Sequence, residues 1–156
     1  MDIISHGLYG LILAKAFFTR AKLWLAFIVG VLPDAIPFSI PMIQMLVTGA
    51  RPDHSTLAVP SYTNVLYGLT HSLVVILFVF WLVYLIWKKI PYYLLAWPLH
   101  VLIDIPTHSK AFFPTPILYP LSSFSINGVS WGSWFVFIPN ILLIVGLLVY
   151  LRYRNR

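Results

Sequence analysis

Six side chains able to bind a metal or move a proton stand inside or at the ends of strongly apolar segments: His6, Asp34, His71, His100, Asp104 and His108. They include four of the five histidines, in a chain with four acidic residues and neither glutamate nor cysteine. Imidazole nitrogen and carboxylate oxygen suit a hard or borderline divalent ion, zinc first, with manganese or iron next. Thiolate ligation and disulfides are excluded. Ionisable groups at membrane depth are expensive, and their default reading is functional.

The surrounding composition is that of a membrane protein. The 156 residues are 60% hydrophobic and 9% charged, with a mean hydropathy of +0.90. Soluble domains are about half apolar and about a quarter charged. The net charge of +6 does not argue for nucleic acid. Its basic residues form short clusters between apolar runs, as topology signals do. Asp2 ahead of any lysine, and His6 within the first apolar run, do not fit a cleaved signal peptide.

Five apolar segments, 3–18, 23–46, 66–87, 91–105 and 131–151, predict one domain over 1–156. It is expected to be all-α, an integral membrane bundle of four to five helices with irregular outer loops. Prolines 33, 37 and 41 remove backbone donors, so the second helix is expected to end near Pro33 and continue irregularly. Pro98 predicts a kink in the fourth. Segment 66–87 is long enough to cross hydrocarbon, for which about 20 residues suffice. Trp131, Trp134, Tyr150 and Tyr153 give the last segment an aromatic belt. The stretch 106–130 reads as a Pro/Ser/aromatic loop.

Alternating spans place Arg20 with Lys22, Lys88 with Lys89, and Arg152, Arg154 and Arg156 on one side. The positive-inside rule makes that side cytoplasmic, with the N-terminus outside and the C-terminus inside. At about 1.5 Å per helical residue, His6, Asp34, His71, His100 and Asp104 then stand roughly 16 to 26 Å from the basic plane. Four segments thus bring ionisable groups to one level, facing the extracytoplasmic side.

Local spacing points the same way. His100 and Asp104 are four apart and share a helix face. Asp104 and His108 repeat the interval, although Pro106 intervenes. Blander readings stay open: an interfacial His6, a capping Asp34, a cross-helix bond from His71, an ion pair or proton relay for His100 and Asp104. Asp53 and His54 read as solvated loop residues. An aspartate such as Asp34 or Asp104 could ligate, orient an imidazole, or serve as general base.

Ser5-His6-Gly7, Leu32-Pro33-Asp34, Gly68-Leu-Thr-His71-Ser72 and His100-Val-Leu-Ile-Asp104 resemble, in the same order, the motifs of the YdjM-like (DUF457) predicted membrane-bound metal-dependent hydrolase family. More remotely, the order is similar to that of the zinc-dependent phospholipase C and P1 nuclease group. The first resemblance implies a membrane protein of bacteria or archaea with a hydrolytic metal centre. The second implies phosphoester chemistry with more than one ion. Two positions depart from the family pattern. Ile36 stands where many members carry an acid, and Leu66-Tyr67 where they carry His-Arg, which bears on metal number and on a phosphate substrate. Arg51 and Lys110 are the basic residues on the proposed site side.

The expected function is therefore metal-dependent hydrolysis of a membrane lipid or phosphorylated amphiphile, with one or two ions and phosphoester chemistry ahead of amide. One rival is a ceramidase-like zinc amidase, with Ser72 beside His71. The other is a metal or proton transporter, which would need polar residues continuing to both faces. The cytoplasmic halves offer little beyond Lys15.

Overall fold

The computed structural model describes residues 1–18, 22–49, 60–111 and 113–154. Among them are six α-helices and no strand: α1 (Ile3–Phe17), α2 (Leu23–Thr48), α3 (Ser61–Thr70), α4 (Leu73–Trp87), α5 (Ala96–Thr107) and α6 (Trp134–Arg154). A 3-10 turn, Tyr92–Leu95, precedes α5. The all-α expectation holds. By length and composition α2 and α6 could each cross a membrane, and α3 with α4 would be a third span if the bent pair counts as one.

Asp2 starts α1 by accepting the Ser5 N–H at 2.9 Å and the Ser5 hydroxyl at 2.6 Å, which satisfies a donor that helix geometry orphans. α1 then packs chiefly on α2, with α5 and α6 at its flanks. Small residues permit the approach, as in membrane helix pairs generally. A Cβ on Gly10 would meet the Ala26 carbonyl oxygen at 2.4 Å, and one on Gly30 would meet that of His6 at 2.5 Å. Asn140 fastens α6 to the same helix, accepting from the Tyr9 hydroxyl at 2.8 Å and donating to Ser5 Oγ at 2.9 Å.

Two expectations, for α2 and for Pro98, are corrected, and segment 66–87 keeps its apolar length but is bent. α2 does not end near Pro33; it stays helical through Pro33, Pro37 and Pro41 to Thr48. Pro37 lacks the N–H that would bond the Pro33 carbonyl, and Thr70 Oγ1 donates to that oxygen instead, at 2.9 Å. Neighbouring hydroxyls commonly replace donors lost to proline in apolar surroundings. Segment 66–87 is broken between Thr70 and Leu73, with a 60° bend. Ser72 accepts from the N–H groups of Val74 and Val75, capping α4, and the Leu73 N–H turns to Ile117 O at 3.0 Å. Pro98 lies in the first turn of α5, where a missing N–H costs nothing. The irregularity falls before it, in the 3-10 turn.

The loop after α5 follows the expected irregular course. It partners the helix's terminal carbonyls: Val129 N to Pro106 O at 2.8 Å, Gly128 N to His108 O at 2.9 Å, and Trp131 N to Thr107 O at 3.0 Å. Outward, α4 presents Leu77, Phe78, Trp81 and Ile86, all exposed. Helices apolar on their outer faces suit an apolar surrounding.

Candidate metal centre

The fold draws three helices and the elbow between α3 and α4 to one point. His6 comes from α1, Asp34 from between two prolines of α2, and His100 and Asp104 from one face of α5. His71 ends α3 at the break, and His108 ends α5. All six side chains are buried. Asp53, His54 and Arg51 lie outside the described residues, and Lys110 is exposed.

The other five of the six divide around the Asp104 carboxylate. On its Oδ2 side, His71 Nε2 lies at 3.4 Å and His100 Nε2 at 3.3 Å. Asp34 Oδ1 completes this group, 3.4 Å from His71 Nε2 and 3.7 Å from His100 Nε2. Asp34, His71, His100 and Asp104 offer ligand atoms all within 4.8 Å of one another and could hold a metal ion. On the Oδ1 side are His6 Nε2 at 2.9 Å, His108 Nδ1 at 3.3 Å and the amino group of Met1. The His6 ring also stacks on that of His100, centroids 3.5 Å apart.

Hydrogen bonds at the backs of the rings set their tautomers. His71 Nδ1 is 3.1 Å from Tyr67 O, and His100 Nδ1 is 2.7 Å from Gly30 O. A carbonyl can only accept, so each Nδ1 carries the hydrogen and each neutral ring turns a lone pair forward at Nε2. Those two Nε2 atoms are 3.1 Å apart. Two facing lone pairs beside two carboxylates repel unless a cation or a shared proton lies among them. Among the described residues, Asp104 Oδ2 and His6 Nδ1 are also buried without a hydrogen-bond partner. Buried polar atoms are rarely left so, and Asp104 Oδ2 faces the Nε2 atoms of His71 and His100 in the group that could hold an ion.

Several supporting residues were not singled out in the sequence. Thr70 Oγ1 touches His71 Nδ1 at 3.0 Å, Trp97 Nε1 donates to Thr70 O at 2.7 Å, and Tyr67 stacks on His71 at 3.9 Å. Backing of this kind orients ligating imidazoles. The signal for Thr70 was a threonine directly before a histidine in an apolar run. Nothing local marks Trp97 or Tyr67. Ser72 is committed elsewhere, capping α4 and donating to the carbonyls of Tyr119 and Ile117.

No protein-family model matches this chain, and neither does any curated protein or solved structure.

Proposed function

We propose that the chain is a membrane-embedded, metal-dependent hydrolase of a lipid or similar amphiphile. In this reading four to five apolar segments lie in the bilayer, with the basic clusters cytoplasmic and the site toward the other face. The observation that carries it is the pair of facing Nε2 lone pairs flanked by Asp34 and Asp104. Ligands about 2.0–2.1 Å from a tetrahedral zinc are roughly 3.3–3.4 Å apart. The five nitrogen–nitrogen and nitrogen–oxygen separations here run from 3.1 to 3.7 Å, and this supports an ion of about that size without choosing among metals.

Catalytic zinc keeps three protein ligands and one open position. His71, His100 and Asp104 would hold the ion. Asp34 is the loosest of the four, furthest from His100, and it forms part of the wall of an open cavity. As the fourth member it would stay free to serve as general base toward a water on that side. When bound, zinc supplies a Lewis acid and a water of lowered pKa. His6 and His108, on the far oxygen of Asp104, hold that carboxylate in place or receive a second ion.

Ser72, which an amidase reading would use, is occupied as a helix cap, and this favours phosphoester over amide chemistry. Toward the end of α1 that carries Lys15, the core is Ile12, Ile144 and Leu151, an apolar plug where a transporter needs a polar path. The test is purified protein in bilayers given a lipid panel with and without chelator, products read by mass spectrometry. Metal content is measured in parallel on the parent, His100→Ala and Asp104→Ala. Chelator-sensitive cleavage, and metal lost in both variants, is expected. Metal-free protein with no cleavage, or ion flux dependent on His100 without cleavage, would overturn the reading.

A further inference from the structure

A cavity of about 560 Å³ opens beside Asp34 and His108. Its longest wall is α2, where Asp34, Phe38, Met42 and Met45 recur at intervals of three or four and so form one stripe. At 1.5 Å per residue the stripe runs about 16 Å from the carboxylate. That is close to one leaflet's share of a hydrocarbon core about 30 Å thick. Phe113 and Trp131 also line the cavity. The ionisable side chains on the wall, Asp2, Asp34 and His108, belong to the cluster or adjoin it. No lysine or arginine lines the cavity among the described residues.

The opposite face of the same helix stretch is also apolar and turned outward. Ile36, Ile40, Ile43 and Val47 follow one another at helical spacing, and Val47 is 80% exposed. Ile4 and Met42 belong to the cavity wall, yet they are 65% and 47% exposed. They mark an opening between the start of α1 and the outer half of α2, set in an apolar surface.

We infer that the cavity receives a single hydrocarbon chain of a membrane lipid, entering sideways between Ile4 and Met42. The wall's length of about 16 Å along α2 is close to one leaflet's hydrocarbon and suits a single chain lying along it. The second chain of a diacyl lipid stays outside the opening. The inference does not make this lipid the substrate: in the proposed topology Met45 lies nearer the outer face than Asp34, so the headgroup of a lipid whose chain follows the stripe lies away from the cluster. Occupancy by the chain is a separate matter and does not need the metal.

The test uses the full chain in phosphatidylcholine vesicles doped with a phospholipid carrying a diazirine at the end of one acyl chain. After irradiation the labelled residues are read by peptide mass spectrometry. Phe38 and Met45 should be labelled, as should the outward Ile43 and Val47. Joint Ile4→Trp and Met42→Trp replacement should cut labelling of Phe38 and Met45 several-fold and leave Ile43 and Val47 unchanged, which also shows that the helix keeps its place. Ile4→Ala should raise labelling inside. Chelator should alter none of this, so loss of the hydrolase reading and loss of this one are told apart. Unlabelled Phe38 and Met45 beside labelled Ile43, or inside labelling indifferent to both gate substitutions, would overturn it.

Discussion

Replacing Thr70 by valine tests whether α2 and the centre depend on one hydroxyl. Thr70 Oγ1 lies 2.9 Å from the Pro33 carbonyl and 3.0 Å from His71 Nδ1. Valine keeps the shape and removes both interactions. A buried acceptor left without its donor costs about 1–3 kcal/mol, while single hydrogen bonds within membranes average nearer ~0.6 kcal/mol and reach ~1.7. We therefore expect a loss of about 1–2 kcal/mol, or roughly 5- to 30-fold in the folding equilibrium at 1.4 kcal/mol per decade. Loss of a partner behind a ligating imidazole costs roughly 10- to 100-fold in metal affinity. Tyr67 O still holds His71 Nδ1, so the low end is expected. Denaturant midpoints in mild detergent measure the first effect, and competition with a chromogenic chelator the second. Thr70→Ser should restore both. A valine variant that binds metal and unfolds like the parent would refute the reasoning.

Two further substitutions separate the scaffold from the centre. Gly30→Leu drives a side chain into the His6 carbonyl, 2.5 Å from the new Cβ. It should cost about 1–3 kcal/mol as overpacking does, and because Gly30 O holds His100 it should lower metal content as well, read by thermal melts and elemental analysis. Asn140→Leu removes the bonds to Tyr9 and Ser5. At roughly 0.6–1.7 kcal/mol each, it should speed hydrogen exchange in α6 and leave metal content unchanged.

The helical class and the convergence of His71, His100, Asp104 and Asp34 were legible because both rest on regular rise and on a scarcity of charge. The course of α2 was not. A local rule assigns Pro33 and Pro37 to a helix end, and the hydroxyl that overrides it belongs to another helix. The break at His71 was hidden by unbroken hydropathy, although Ser72, a cap residue inside an apolar run, marked it. The division of the other five side chains around Asp104 was beyond reach, since sequence spacing gives a level along the helices and not which carboxylate oxygen a ring faces. Asn140 was passed over as one polar residue in a clean apolar segment, because its partners lie far away in the chain.

The Pro33 carbonyl finds its donor 37 residues later in the chain, and the Gly30 carbonyl meets His100 70 residues later. In order of synthesis, α2 therefore exists for some time with a backbone oxygen that its own helix cannot serve. α3 supplies the missing donor, and α5 then brings His100 and Asp104 to meet what α1 and α2 already hold. Contacts so far apart in sequence form late, after the loops between them have closed. The centre is thus complete only once α5 has joined α1, α2 and α3, with α6 still to dock through Asn140, and a metal ion that ties Asp34 to His71 and His100 would hold those helices while it does.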